Sequence, residues 1–169
     1  MPADRRTVVG LRAGSARQLK SAGDALTPTV GTPDRADQGT SQEERCSHSD
    51  EVGPEVWDDP VRGEVSFRVL FSADRTPTSA LYTGLTELGP GGWLGLHRHT
   101  QAEVYHLVEG SGVVVLDGVE HPVTAGSAVF VPGDAEHGIR NTGEGPLRFV
   151  YAFATDAIDD VVYRFSADG

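Results

Sequence analysis

This sequence of 169 residues has a single cysteine, Cys46, and no apolar run of 18 residues. One cysteine cannot form an internal disulfide, so nothing in the chain requires an oxidising compartment. A membrane-spanning helix needs an apolar run of that length, and the basic start of the chain lacks the continuous apolar core of a secretory signal. These absences predict a cytoplasmic protein with no membrane partner.

Positive charge is scarce in the part of the chain that has a globular pattern. Residues 55–169 hold 7 basic and 17 acidic side chains, so most of the formal net charge of −11 lies there. A surface of this sign repels the phosphate backbone, so we do not expect nucleic acid as a partner.

Large apolar residues are rare in residues 1–54, and no period of 2 or 3.6 persists there. This composition predicts a disordered or weakly ordered N-terminal tail. Residues 55–169 are enough for one hydrophobic core, so we expect a single folded domain in this range.

Alternating apolar and polar residues dominate the predicted domain. Val65, Phe67 and Val69 alternate with polar neighbours, and similar short runs follow, separated by turns rich in glycine and proline. We count about ten short strands and no long helix. This pattern predicts an all-β barrel or jelly roll.

Three potential metal ligands have the same parity in the stretch Gly91–Gly110. Side chains at i and i+2 of a strand lie on one face, so His97 and His99 project together, and Glu103 keeps their parity. Two imidazoles and a carboxylate suit a borderline or hard divalent ion. His137, in a later β-branched run, is the obvious candidate for a fourth ligand.

Two stretches of the chain resemble the two sequence motifs of the cupin superfamily. Gly91–Gly110 reads G-x5-H-x-H-x3-E-x6-G, and Gly126–Asn141 reads G-x5-P-x-D-x2-H-x3-N, with Asp134 where a glycine is usual. Aspartate tolerates the turn conformation that favours glycine. The resemblance implies a cupin-type double-stranded β-helix, which is a jelly-roll barrel. It also implies one metal ion bound by four side chains: His97, His99, Glu103 and His137.

The ligand set leaves the identity of the ion open. Three imidazoles and one carboxylate accept divalent Fe, Mn, Ni, Co, Cu or Zn. An ion that prefers five or six ligands keeps a position for substrate, which favours an enzyme. Small cupins usually dimerise through barrel faces, and Leu81 and Leu85 beside Thr83 fit such a face, so the resemblance also implies a homodimer.

Three residues are predicted to line a substrate pocket. Trp93 has the parity of the motif histidines if the strand is regular, with ordinary core packing as the alternative. Asn141 shares a face with His137. Tyr105 has the parity of Glu103 and is the candidate general base, because a neighbouring cation would lower its pKa from about 10. The alternative is that Tyr105 fills the barrel or hydrogen-bonds the substrate.

A narrower resemblance points to a reaction. The small cupin lyases that cleave dimethylsulfoniopropionate to acrylate and dimethyl sulfide carry a similar H-x-H-x3-E-x-Y arrangement with a later histidine. It implies a β-elimination in which the metal binds the substrate carboxylate, Tyr105 removes the α-proton and Trp93 faces the sulfonium. Arg98 and Arg140 have the opposite parity to neighbouring ligands, which favours a zwitterionic or neutral small-molecule substrate.

Two other functions remain open on the sequence. A non-haem metal dioxygenase would use the same ligands but would require dioxygen. A non-catalytic cupin would bind a small ligand, and loss of the Tyr105 hydroxyl would then change affinity at most. The leading hypothesis is a metal-dependent lyase or isomerase that acts on a small organic acid or zwitterion.

Overall fold

A computed structural model describes residues 46–166. These residues fold into short β-strands. Residues 1–45, which hold most of the predicted tail, lie outside the described residues. Two single-turn 3-10 helices span Ser49–Glu51 and Ile158–Asp160. The strands are β1 (Glu55–Asp59), β2 (Gly63–Phe71), β3 (Tyr82–Leu88), β4 (Trp93–Arg98), β5 (Glu103–Glu109), β6 (Ser111–Leu116), β7 (Val119–Thr124), β8 (Ala128–Val131), β9 (His137–Asn141), β10 (Leu147–Phe153) and β11 (Arg164–Phe165).

All described strands belong to one antiparallel sheet. Its order is β7-β6-β9-β4-β2-β3-β10-β5-β8, while β1 pairs with β2 and β11 pairs with β4. Side chains alternate between the two faces of the curled sheet, so one face lines the core. In β10, for example, every second residue from Leu147 to Phe153 is buried. The predicted all-β barrel is therefore confirmed. No helix among the described residues is long and apolar enough to cross a membrane.

The pairing of β4 with β9 brings the two motif stretches together. His97 lies opposite His137, and the register shifts between Leu94 and His97. The turn before β9 contains Asp134, whose φ of 62° lies in the left-handed region that favours glycine. The Asp134 amide donates to the His99 carbonyl oxygen at 2.7 Å, which ties this turn to the first motif.

Asn141, the last residue of β9, has a role inside the fold. Its side-chain amide nitrogen lies 2.8–3.0 Å from the carbonyl oxygens of Leu88, Gly89 and Gly145. Its side-chain oxygen accepts from the Gly143 amide at 2.9 Å. These bonds join the turn after β3 to the loop before β10. The predicted place of Asn141 in the substrate pocket needs correction, because its hydrogen-bonding groups are already used by the backbone.

Candidate metal centre

Four side chains converge inside the barrel: His97, His99, Glu103 and His137. Each offers one ligand atom, and these four atoms lie within 4.8 Å of one another. No member of the set is more than 4% exposed to solvent. The cluster combines three nitrogens and one oxygen, a donor set that suits a divalent transition metal.

Backbone carbonyls fix the orientation of all three imidazoles. The Nδ1 atom of His97 lies 2.7 Å from the carbonyl oxygen of Gly95. The corresponding distances are 2.9 Å from His99 to Gln101 and 3.0 Å from His137 to Ala135. A hydrogen bond from Nδ1 leaves Nε2 as the free lone pair, and this arrangement is typical of metal-binding histidines.

The remaining polar atoms of the cluster fit a bound cation. Oε2 of Glu103 lies 3.2 Å from Nε2 of His137 and 3.4 Å from Nε2 of His99. Yet the buried Nε2 of His99 has no hydrogen bond of acceptable geometry. A buried nitrogen without a partner is costly, and coordination of an ion by this atom would remove the cost.

Burial and neighbouring side chains together set the protonation states of His97 and Glu103. Removal from water, together with the nearby His137, lowers the pKa of His97 from 6.5 to about 3. Burial alone would raise the pKa of Glu103, but the imidazoles of His137 and His99 lower it more. His97 is therefore neutral and Glu103 ionised near pH 7, and these are the forms that bind metal.

A narrow cavity of about 40 Å³ borders the cluster. Tyr105 lines it and is 1% exposed, as is expected for the inward face of β5. Burial first, and then the negative charge of Glu103, raise the pKa of Tyr105 well above 10. Most other wall residues are aromatic or aliphatic: Trp57, Val65, Phe67, Leu94, Phe149, Tyr151, Ile158 and Tyr163.

Trp93 does not occupy the position that strand parity predicts. Trp93 is half-buried and lines an outer groove with Pro60, Leu96 and Arg140, whereas Leu94 borders both this groove and the metal cavity. The register shift between Leu94 and His97 breaks the strict alternation of β4, and this irregularity turns Leu94 inward. The prediction that Trp93 lines the substrate pocket is corrected accordingly.

Two aromatic residues from the ends of the domain take the place predicted for Trp93. Trp57 of β1 lines the cavity and contacts Tyr163, with ring centroids 5.6 Å apart. The Tyr163 ring lies 5.1 Å from that of His97 and 5.5 Å from that of His99. The sequence analysis missed both as site residues, because their distance along the chain from the motifs gave no signal of proximity.

Replacement of His137 should remove the metal. We expect about one divalent ion per chain in the full-length protein and a large loss of bound metal in His137→Ala, because one of four ligands is gone. Elemental analysis measures the ratio. His121→Ala is the matched control, since His121 is exposed and outside the cluster. A wild-type protein that cannot be loaded with any of the six candidate metals would contradict the site.

The metal-free protein should lose stability as the pH falls from 6.5 towards 3. Native His97 stays neutral in this window, whereas His97 in the unfolded chain takes up a proton. Because the unfolded state binds one more proton at this residue, His97 should contribute a loss of roughly 1 kcal/mol in the free energy of unfolding for each pH unit. Urea unfolding between neutral and acid pH measures the slope. His97→Gln should flatten the slope and His121→Ala should not; equal slopes in His97→Gln and the wild type would refute this assignment.

Comparison with known proteins finds relatives that are similar to part of this chain. It is 46% identical over 109 residues to dimethylsulfoniopropionate lyase DddW of Ruegeria pomeroyi, covering 64% of this chain and 71% of the relative. It is also 34% identical over 71 residues to a gentisate 1,2-dioxygenase of a Ralstonia species, covering 41% of this chain and 20% of that protein.

A solved structure and a family match agree with the fold. The crystal structure of a predicted oxalate decarboxylase from Thermotoga maritima superposes with a TM-score of 0.59 at 31% identity, covering 64% of this chain and 96% of the other. Residues 84–153, which include all four candidate ligands, match the family described as Cupin domain. These matches, together with the His and Glu cluster inside the barrel, show that this chain belongs to the cupin family.

Proposed function

We propose that this protein is a divalent-metal-dependent lyase that catalyses β-elimination on dimethylsulfoniopropionate or a closely similar zwitterion. The observation that carries the proposal is the position of Tyr105 in the cavity that His97 and Glu103 of the metal-binding cluster also line. The relative named as a dimethylsulfoniopropionate lyase, 46% identical to this chain, supports the same reaction.

The cavity wall suits a substrate with one carboxylate and no second anionic group. Among the described wall residues there is no arginine or lysine, and Glu103 carries the only carboxylate. A bound divalent ion supplies the positive charge that holds a substrate carboxylate and lowers the pKa of nearby acidic groups. His97, His99, Glu103 and His137 would hold this ion. Its identity, among Fe, Mn, Ni, Co, Cu and Zn, follows from neither fold nor ligand set.

Tyr105 is the residue we assign to proton removal. In its ionised form, the Tyr105 oxygen takes the proton from the α-carbon of the substrate and becomes a neutral phenol, and the freed electron pair forms the double bond between the α- and β-carbons. The bond from the β-carbon to sulfur breaks, and its electrons leave with dimethyl sulfide. Acrylate remains, and no oxidant is consumed. Without a cation, burial and Glu103 keep Tyr105 protonated, so the step depends on the loaded site.

Aromatic residues form much of the remaining wall and suit the positive end of such a substrate. Trp57, Phe67 and Tyr163 all line the cavity, and aromatic rings attract onium groups through the negative potential of their faces. We therefore assign to Trp57 the role that the resemblance to dimethylsulfoniopropionate lyases implied for Trp93. The small volume of the cavity favours a small substrate.

Removal of the Tyr105 hydroxyl should stop turnover and leave the metal in place. We expect Tyr105→Phe to lower the rate of acrylate release at least about 100-fold, since a general base contributes that much or more. Gas chromatography of dimethyl sulfide and liquid chromatography of acrylate measure the rate, after loading with each candidate metal in turn. Metal content should equal that of the wild type.

Matched controls separate this proposal from its alternatives. Tyr163→Phe is the matched control, because the Tyr163 ring also lies beside the imidazoles. If Tyr105→Phe keeps turnover and Tyr163→Phe loses it, the base is Tyr163. Turnover should be undiminished without dioxygen, and its loss would instead favour a dioxygenase, the alternative that similarity to gentisate dioxygenase supports. A Tyr105→Phe variant changed only in ligand affinity would indicate a non-catalytic binding protein.

We also propose a homodimer formed through the outer face of β3, β10, β5 and β8. Exposed apolar side chains gather there: Leu81, Val104, Val108 and Phe130 are 42–63% exposed, and Val104 lies opposite Phe130. Apolar patches of this kind often mark interfaces. Sedimentation velocity should give a dimer for the wild type and a monomer for Phe130→Glu. A wild-type monomer at micromolar concentration would contradict the interface.

A further inference from the structure

A second pocket lies beside the small metal cavity. The cavity of about 40 Å³ has room for only a few water-sized groups. The second pocket, which we call the surface pocket, has a volume of about 160 Å³ and lies between the loop after β2 and the Ile158–Asp160 helix. The two spaces are neighbours, because the ring of Tyr151 on the cavity wall lies 5.9 Å from the ring of Tyr82 on the pocket wall. A ligand too long for the cavity therefore has space next to it.

Ile158 stands between the cavity and the surface pocket. Among the residues that the structure describes, its side chain alone lines both spaces, and it is half-buried. Ile158 begins the single-turn helix in the segment that joins β10 to β11. The size of this side chain therefore sets how far the metal cavity extends towards the surface.

The segment that carries Ile158 is attached near its two ends and belongs to no strand. The Ala73 amide donates to the Asp156 carbonyl oxygen at 2.9 Å. Beyond Ile158, the Gln101 side-chain amide donates to the Asp160 carbonyl oxygen at 2.9 Å. A segment outside the strand ladders can adjust locally while the sheet keeps its pairing. A smaller side chain at Ile158 should thus leave the metal-binding cluster in place.

The surface pocket is more acidic than basic. Its wall holds three carboxylates and one guanidinium, from Glu55, Asp74, Asp159 and Arg75. The Ser72 hydroxyl donates to the Asp74 carboxylate and lowers the pKa of Asp74, so this group is ionised near pH 7. The pocket therefore tolerates the ammonium end of a long ligand better than an anionic end.

We propose that Ile158 determines the greatest length of ligand that the metal site accepts. This inference rests on one part of the proposed function, the binding of a ligand carboxylate at the metal. With the carboxylate at the cluster, a short chain fits the cavity, and a longer chain meets Ile158. A smaller side chain would join the cavity to the surface pocket and admit the longer chain.

Three amino acids that differ only in chain length test this role: 3-aminopropanoate, 5-aminopentanoate and 7-aminoheptanoate. Calorimetry on the metal-loaded full chain gives the affinity for each acid. We expect the wild type to bind the longest acid at least about tenfold more weakly than the shortest, since one misfitting methylene costs about that factor. Ile158→Ala should bring this ratio close to one. Val162→Ala is the matched control and should keep the wild-type ratio, because Val162 lies in the same segment but is exposed and lines neither space.

Further measurements separate control of ligand length from a packing role. Ile158→Leu keeps the side-chain volume and should keep the wild-type ratio. Metal content of Ile158→Ala should equal that of the wild type. If Ile158→Ala does not fold, the smaller truncation Ile158→Val should give an intermediate ratio. Equal weakening of all three acids in the truncated variant, an unchanged ratio, or no discrimination by length in the wild type would overturn the inference.

The lyase assay is read separately. Acrylate release by the wild type, combined with an unchanged ratio in Ile158→Ala, would refute the role of Ile158 and leave the proposed function intact. A protein that releases no acrylate, yet loses discrimination by length in Ile158→Ala, would refute the proposed lyase and support the role of Ile158. If the loaded wild type binds none of the three acids, the metal holds no carboxylate, and both proposals are wrong.

Discussion

The metal-binding cluster depends on three hydrogen bonds between imidazole Nδ1 atoms and backbone carbonyls. Each histidine bonds to a carbonyl two residues away along its own segment, so the strand that carries the ring also aims it. This local constraint works only if β4 and β9 are neighbours, because His137 must lie opposite His97. The sheet order, the left-handed turn at Asp134 and the buried Asn141 all serve that pairing.

Strand parity predicted that His97 and His99 share a face and that Tyr105 points inward with Glu103. The two histidines and the glutamate lie within seven residues, but a break between β4 and β5 separates them, so alternation along one strand does not by itself bring Glu103 to the histidines. His137 is more distant, and its resemblance to the second cupin motif supplied what parity alone could not. The short alternating runs also predicted the barrel. Residues 46–166 form eleven strands and contain no long helix, in agreement with this prediction.

Parity failed where the backbone departs from regular pairing or where a side chain already has partners. Trp93 would point inward only if β4 were regular. The register shift before His97 turns Leu94 inward instead. Asn141 does lie on the inner side of β9, but backbone carbonyls occupy its amide. Neither a register shift nor a turn geometry between distant segments has a residue signature that could be read from the chain.

The wall that covers the imidazoles is made by the two ends of the described domain. Trp57 comes from β1, Tyr163 precedes β11, and their rings meet beside His97. These segments are linked to the barrel by pairing with β2 and β4, whereas the ligands lie on central strands. Changes in these two segments can therefore reshape this part of the cavity wall. The metal ligands would keep their geometry, so one barrel can serve substrates of different bulk.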